Sequence, residues 1–230
     1  MDAQYWHQKW AEEKIGFHQD VINKRLISYW SQLSPSTQAA DKRNCVFVPL
    51  CGKSLDMLWL HEQGHHVLGV ELSEKAAQAF FNDNHLDVEP RTDGQFTIYS
   101  GVGHADGITI MVGDFFALTP EQCKFCVAFY DRAAMIAMAP DMRKRYAHQL
   151  AALMPVDSMG LLLTISYDQK LMQGPPFSVT DENVQELLDN TFNINELARY
   201  TGPERLGNLK ERGLETLDER VYLLQRKAYP

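Results

Sequence analysis

CVFVPLCGKS, at residues 45–54, and HVLGVE, at residues 66–71, are the two stretches from which the fold can be worked out. Each contains a short apolar run, and each run ends where the chain turns, the first at Gly52 and the second at Glu71. The segment between them carries apolar residues at helical spacing and stops at Gly64. A buried strand, a helix and a second buried strand in this order are typical of two parallel strands joined by a crossover helix.

The same alternation continues outward along the chain. The later predicted elements are a helix from Ser73, strands at 96–100, 108–112 and 125–130, a helix at 141–154, a strand at 160–165, a helix at 181–190, and strands at 192–198 and 220–225. A glycine-rich turn separates the strands at 96–100 and 108–112, which predicts a hairpin. The last two strands are expected to form an antiparallel closing pair. The sequence therefore predicts an α/β fold with a mostly parallel central sheet, an antiparallel closing strand and helices on both faces, in one domain over residues 1–230.

Charge and composition exclude several function classes. The formal net charge of -8 disfavours binding to nucleic acid or to an anionic membrane, and the basic run at 143–145 is interpreted as a solvated helix face. No apolar stretch is long enough for a membrane span or a signal peptide, so a cytoplasmic protein is expected. Cys123 and Cys126 form the one CxxC pair, which we interpret as two free thiols and not as a metal site. A monomer is expected.

Ionisable residues follow the predicted strands, at the edge where open parallel sheets bind their ligands. Glu71 comes 19 residues after Gly52 and is placed to accept hydrogen bonds from both hydroxyls of a ribose. Dinucleotide binders pair such a carboxylate with three glycines that approach a pyrophosphate, whereas this turn has one. The pattern favours a nucleoside without phosphates, and S-adenosylmethionine fits it. Asp114 and Phe115 are candidates for the adenine, through the carboxylate and the ring.

Aromatic residues are concentrated near the amino terminus. The segment YWHQKW at residues 5–10 is followed by Gly16 and Phe17. Aromatic faces attract a sulfonium cation, so this segment is a candidate lid over a bound sulfonium. The alternative is an aromatic flap that packs on the core.

The chain resembles the thiopurine S-methyltransferase family, specifically its bacterial branch, nearly from end to end. The resemblance rests on the following residues: Trp6, Trp10, Gly16-Phe17-His18, PLCGK at 49–53, Gly64-His65 with Gly69-Val70-Glu71, Asp131-Arg132, Arg143 to Tyr146, Ser166-Tyr167-Asp168, GPPF at 174–177 and Tyr222-Leu223-Leu224. It implies the Rossmann-like fold of class I methyltransferases and S-adenosylmethionine as cofactor. Carried over by position, it assigns the cofactor site to Trp10, Leu50, Glu71, Asp114, Phe115 and Arg132. It assigns the acceptor to Phe17 and Arg205, with Arg212 as a rival for the second position. It also favours the lid over the flap, as a mobile segment of residues 1–25 over the active site.

The reaction implied is methyl transfer to the sulfur, or to selenium or tellurium, of a small aromatic or heterocyclic thiol or a metalloid species. In-line transfer needs alignment and no covalent intermediate. Arg132, helped by Arg205, is expected to stabilise the acceptor thiolate, and Asp131 is expected to position Arg132. Two alternatives remain open, a non-catalytic adenosylmethionine-binding sensor and a nicotinamide-dependent oxidoreductase, which the single-glycine turn disfavours.

Overall fold

The computed structural model describes residues 3–33 and 44–228, apart from the side chain of Arg205. Its helices are α1 (Ala3–Ala11), α2 (Lys24–Tyr29), α3 (Asp56–Glu62), α4 (Glu74–Asp83), α5 (Pro120–Cys123), α6 (Ala134–Ala137), α7 (Pro140–Leu153) and α8 (Asp181–Leu188). Its strands are β1 (Cys45–Pro49), β2 (His66–Glu71), β3 (Val88–Asp93), β4 (Phe96–Gly101), β5 (Ile108–Val112), β6 (Cys126–Asp131), β7 (Met159–Ser166), β8 (Phe192–Thr201) and β9 (Asp218–Arg226). Short 3-10 turns connect several of them.

The strands form one sheet in the order β3-β4-β5-β2-β1-β6-β7-β9-β8. The five central strands, from β5 to β7, are parallel to one another. Strand β9 runs antiparallel between β7 and β8, as predicted for the closing pair. The predicted hairpin is also confirmed, since β4 pairs antiparallel with β5. The mostly parallel α/β fold is therefore confirmed.

The sequence prediction missed strand β3 and four helices, α1, α2, α5 and α6. Strand β3 pairs antiparallel with β4 at the edge of the sheet, and five of its six residues are exposed. Its sequence VEPRTD lacks the apolar alternation that marks a half-buried strand. Helix α1 was missed because its single buried residue, Trp10, gives no periodic apolar face.

The core lies on both faces of the sheet, and β1 shows how the sequence produces this. Phe47 packs into the core cluster on one face, whereas Val46 and Val48 pack into the cluster on the other. Side chains alternate along a strand, so a run that is apolar at every position must be covered on both sides. The five parallel strands are thereby fixed with their carboxyl ends at one edge, where the loops that carry the predicted site residues meet.

The basic run at 143–145 is only partly solvated, which corrects the interpretation made from the sequence. Lys144 is exposed, but Arg143 is 4% exposed and donates hydrogen bonds to the carbonyls of Met138 and Ser178. Burial lowers the pKa of the Arg143 guanidinium. Three consecutive residues of a helix point in different directions, so one of the three can turn inward and tie α7 to the loop before α8. No helix within the described residues is long and apolar enough to cross a bilayer.

Candidate active site

The carboxyl ends of the parallel strands open into a cavity of about 1060 Å³. Seven residues predicted for the cofactor or the acceptor line it: Trp10, Phe17, Leu50, Glu71, Asp114, Phe115 and Arg132. They come from the amino-terminal segment and from the loops after four different strands. The structure thus brings together residues that are up to 122 positions apart in the sequence, from Trp10 to Arg132.

Glu71 ends β2 with its carboxylate fixed by the backbone of two loops. One oxygen accepts from the amide of Gly52 at 2.9 Å, and the other accepts from the amide of Ser73 at 2.9 Å. The residue is 7% exposed, and burial raises the pKa of its carboxyl although these amides act in the opposite direction. Each oxygen has a second lone pair, so the group can still accept from a ligand in the cavity.

The turn after β1 has an unusual backbone. Leu50 has a φ of 49° and Gly52 a φ of 54°, so two of three consecutive residues lie in the left-handed region. For Leu50 this conformation costs on the order of 1 kcal/mol, and such cost is common at ligand sites. A Cβ at Gly52 would lie 3.2 Å from the ring of Trp10. Glycine is therefore needed at this position for both its backbone and its lack of a side chain.

The turn after β5 presents one polar and one aromatic group. Asp114 is exposed, and its carboxylate accepts from the amide of Phe116 at 2.9 Å. Phe115 is buried and its ring lies 6.4 Å from Phe47 and 5.1 Å from Tyr146, measured between ring centroids. The Phe115 ring is thus an extension of the core into the cavity wall, while the Asp114 carboxylate keeps free acceptor capacity.

Arg132 and Asp131, which follow one another at the end of β6, have separate partners. Arg132 donates from Nε to Asp56 at 3.0 Å and from Nη2 to Ser54 at 3.4 Å. The Asp131 carboxylate instead accepts from the hydroxyl of Tyr146 at 2.6 Å and from the amide of Ala134 at 2.9 Å. The expectation that Asp131 positions Arg132 is therefore corrected: successive side chains at a strand end point to opposite faces, and Asp131 instead anchors the start of α6.

Burial also changes the acidity of Asp131. The residue is fully buried, and this raises the pKa of its carboxyl to about 6 even though the Tyr146 hydroxyl and the amides of Met135 and Ala134 lower it. Burial also raises the pKa of the Tyr146 hydroxyl, and its contact with Asp131 raises it further. Asp131 does not line the cavity, so its part in the site is to support the strand end on which Arg132 lies.

Asp56 is a residue of this site that the sequence analysis missed. It begins α3 and is 1% exposed, yet it accepts from the amide of Asn23, the hydroxyl of Tyr130 and the guanidinium of Arg132. An acidic residue in the first turn of a helix is common and gives no signal by itself. A signal was present in the spacing, because Leu60 lies four residues later and marks that helix face as buried.

Residues 3–18, which we call the cover segment, lie across the mouth of the cavity. The Phe17 ring meets Trp6 and Trp10 edge to face, with both centroid distances at 5.5 Å. Polar contacts at its margin join Glu13 to Lys75 and the carbonyl of Gly16 to Asn208. Residues of the segment, from Ala3 to His18, line the cavity. The mobility of the segment stays a prediction, and the first two residues of the predicted lid lie outside the described residues.

Of the two arginines considered for the second acceptor position, Arg205 and Arg212, the structure shows where the side chain of Arg212 lies. Arg212 lines the cavity, and its guanidinium donates to the carbonyls of Pro175 at 2.8 Å and of Gln173 at 2.6 Å. It therefore ties the 206–212 segment to the GPPF loop. The side chain of Arg205 lies outside the part of the chain that the structure describes, so its role remains a prediction.

Several solved structures with this fold are methyltransferases. The 1,6-didemethyltoxoflavin-N1-methyltransferase of Burkholderia thailandensis, solved with S-adenosylhomocysteine, matches with a TM-score of 0.62 at 15% identity, covering 98% of this chain and 87% of that one. A SAM-dependent methyltransferase of Anabaena variabilis matches with a TM-score of 0.59 at 13% identity, covering 98% and 95%. The likeness shows that the chain has the fold of these methyltransferases.

Sequence comparison narrows the class to one family. The family model described as Thiopurine S-methyltransferase (TPMT) matches residues 1–227. The thiopurine S-methyltransferase of Pseudomonas syringae pv. tomato is 44% identical over 227 residues, covering 99% of each chain. That of Pseudomonas aeruginosa is 48% identical over 227 residues, covering 98% of this chain and 100% of the relative. The chain belongs to the thiopurine S-methyltransferase family, as the resemblance implied.

Proposed function

We propose that the chain transfers the methyl group of S-adenosylmethionine to the sulfur of small aromatic or heterocyclic thiols, such as thiopurines. The observation that carries the proposal is Arg132, a guanidinium fixed on the cavity wall by Asp56 and Ser54. A fixed positive charge beside the cofactor cavity stabilises an acceptor that reacts as an anion, as an aromatic thiol does near neutral pH. The relatives named above bear the same activity in their names.

The cofactor residues fit an adenosyl group without phosphates. We propose that the Glu71 carboxylate accepts from the ribose hydroxyls and that Asp114 and Phe115 contact the adenine. Trp10, beside Gly52, would close the site over the backbone of Leu50. When bound, S-adenosylmethionine would supply a methyl group carried on a positively charged sulfur. That sulfur is a good leaving group when the acceptor attacks the methyl carbon in line with it. The nicotinamide-dependent alternative is disfavoured by the one-glycine turn and by membership of a methyltransferase family.

On the acceptor side, the chain's residues need to orient the thiolate and exclude water. We propose that Arg132 contacts the thiolate or the neighbouring ring nitrogen and that Phe17 packs against the acceptor ring. No general base is required, because the acceptor is already ionised. Asp131 would be a poor base in any case, since it is fully buried and already accepts from Tyr146 and Ala134. Orientation and water exclusion can together supply on the order of 7 to 11 kcal/mol.

The test of the activity is methyl incorporation from labelled S-adenosylmethionine into a panel of acceptors. The panel holds aromatic thiols, aliphatic thiols, the corresponding phenols, and selenium and tellurium oxyanions with a reductant, because metalloid species are the second acceptor class proposed. Aromatic thiols should be methylated and phenols should not. Binding of the cofactor without transfer to any acceptor would overturn the proposal and favour a sensor.

The part of Arg132 is tested by Arg132→Met, with Arg132→Lys as a second variant that keeps a charge beside Asp56. Turnover of an aromatic thiol should fall about 100-fold in Arg132→Met. Arg199→Met is the matched control, since Arg199 is an exposed arginine that pairs with Asp218 on β9. A wild-type rate in Arg132→Met would remove this residue from the mechanism.

The ribose role is tested by Glu71→Ala, with cofactor affinity measured by titration calorimetry. A buried charged hydrogen-bonding group of this kind contributes roughly 2 to 3 kcal/mol, so affinity should fall by about 30- to 150-fold. Glu62→Ala, an exposed carboxylate on α3, is the control. Unchanged affinity in Glu71→Ala would refute the assignment.

We further propose that the chain acts as a monomer, because the residues assigned to cofactor and acceptor come from a single chain. Sedimentation at assay concentrations should give one species near 26.3 kDa. A dimer that persists on dilution would overturn this part of the proposal.

A further inference from the structure

Asp56 connects three parts of the molecule through one carboxylate. Its Oδ1 accepts from the backbone amide of Asn23 at 2.8 Å. Its Oδ2 accepts from the Tyr130 hydroxyl at 3.1 Å and from Nε of Arg132 at 3.0 Å. Asn23 is the residue before α2, Tyr130 lies in β6, and Arg132 follows β6. The amino-terminal chain and the cavity wall therefore share a single buried acceptor.

A carboxylate buried to this degree requires a compensating charge. Arg132 is the cation within salt-bridge distance of Asp56 among the described residues, and the side chain of Asp56 is 2% exposed. Removal of either partner from a buried pair leaves the other charge without compensation, so the pair is strongly constrained to stay together. Arg132 is thus held in one place whether or not an acceptor is present.

The geometry also determines which donors of Arg132 remain available. A guanidinium has five N–H donors, of which Nε is used by Asp56 and one on Nη2 by Ser54. The other three belong to a side chain that lines the cavity and is 16% exposed. Fixing the Nε edge leaves a planar group with its outer donors oriented before the acceptor binds, which reduces the entropy lost on binding.

We infer that Asp56 is a positioning residue for methyl transfer, holding Arg132 in the orientation that receives the acceptor anion while fixing Asn23 at the base of the cover segment. The inference rests on the proposed role of Arg132. Asp56 acts through Arg132 and touches neither substrate, so its removal affects the contacts that Arg132 makes and leaves the hydrogen bonds of Glu71 to Gly52 and Ser73 intact.

The experiment is a double-mutant cycle on kcat/KM for an aromatic thiol, with wild type, Asp56→Asn, Arg132→Met and the double variant. Asp56→Asn should lower kcat/KM for the thiol by about 10- to 100-fold, and it should weaken cofactor binding far less than the roughly 30- to 150-fold expected of Glu71→Ala. In the Arg132→Met background the same substitution should have little further effect. Full additivity of the two losses would overturn the inference, because it would mean that Asp56 acts independently of Arg132.

Two further variants separate positioning from folding. Tyr29→Phe removes the 2.5 Å contact with the Tyr200 hydroxyl, which also fixes the α2 region but lies away from Arg132, and should leave kcat/KM unchanged. Asp56→Glu restores the charge at a shifted position and should recover part of the loss. If Asp56→Asn does not fold, the cycle is run with Asp56→Glu and Arg132→Met, and full additivity of their losses would overturn the inference.

An activity-independent measurement distinguishes failure of this inference from failure of the proposed function. The Nε–H signal of Arg132 in a nitrogen-correlated NMR spectrum should be sharp and slowly exchanging in wild type and in Tyr29→Phe, and should broaden or vanish in Asp56→Asn. An unchanged signal in Asp56→Asn would refute the positioning role even in an active enzyme. Absence of thiol methylation by the wild type, with the signal behaving as expected, would instead refute the function.

Discussion

The loops at the strand ends and the cover segment enclose the same cavity, but different forces fix them. Glu71 and Asp56 are buried carboxylates that accept hydrogen bonds from backbone amides. These buried hydrogen bonds fix the loops at the strand ends. Within the cover segment the Phe17 ring contacts Trp6 and Trp10. The segment meets the rest of the protein where Trp10 lies beside Gly52 and where Glu13 pairs with Lys75, whose side chains are 79% and 50% exposed. Exposed pairs contribute little to stability, whereas buried networks are costly to disrupt.

From this difference we propose a preorganised site under a cover that opens at low cost. The cover segment gives way to firmly held chain near Asn23 and Arg25. The amide of Asn23 donates to Asp56, and Arg25 pairs with Glu219 at 2.9 Å. We therefore propose that the mobile part of the predicted lid is the cover segment, and that the chain from Asn23 onward stays fixed. Such a cover lets the ligands enter while the groups that orient them keep their geometry.

Two tryptophans of similar burial, one in each region, allow the contributions of the two regions to the free energy of unfolding to be compared. Trp30 is 5% exposed and packs in the core with its indole N–H bonded to His65, whereas Trp10 is 4% exposed and belongs to the cover segment. Trp30→Ala should lower the free energy of unfolding by about 3 to 5 kcal/mol. Trp10→Ala should lower it by less than about 1 kcal/mol, because the cover can detach without global unfolding. Urea denaturation measures both, and equal losses would show that the cover is part of the core.

The pH dependence of stability should come from the strand-end region. Because burial raises the pKa of Asp131 from 3.8 to about 6, the folded protein binds a proton more tightly than the unfolded chain does. This contribution is complete below pH 4 and is lost as the pH rises through 6. Between pH 4 and 7 the unfolding free energy of wild type should therefore fall by roughly 2 to 3 kcal/mol relative to Asp131→Asn. A difference between the two proteins that is constant with pH would refute the assignment.

Hydrogen exchange compares the two regions without mutation. The amides of Gly52 and Ser73, which bind Glu71, should exchange slowly with or without ligand. Amides in α1 should exchange rapidly in the free protein and gain about 10- to 100-fold protection when S-adenosylhomocysteine is added. Protection of α1 that is already high without ligand would show a permanently closed cover.

The smallest effect is expected at the margin of the cover segment. Lys75→Met removes the pair with Glu13 and the weak contact with the carbonyl of Ala11. The affinity for S-adenosylhomocysteine, measured by calorimetry, should change by less than about twofold because the pair is exposed to solvent. A tenfold loss would mean that this pair, and not the aromatic contacts, closes the cover.

Some residues of the site can be predicted from the sequence and others cannot, depending on whether topology or packing between elements places them. Glu71 and Arg132 were predicted because the residue after a strand is placed at the ligand edge by topology alone. Asp56 was missed because its burial depends on how α3, β6 and the chain at Asn23 pack together. Arg143 was misjudged for the same reason, since charge says nothing about which side of α7 faces the core. Local patterns therefore predict the sheet and its edge, but not the polar contacts between elements that are distant in sequence.

A crystal structure of the protein with S-adenosylhomocysteine and an aromatic thiol would show whether the cavity serves both ligands. The account predicts ribose hydroxyls within about 3 Å of the Glu71 carboxylate, and the thiol sulfur or its ring nitrogen at a similar distance from the Arg132 guanidinium. If the adenosyl group bound in another cleft, or if side chains filled the cavity at the strand ends, the account would be wrong.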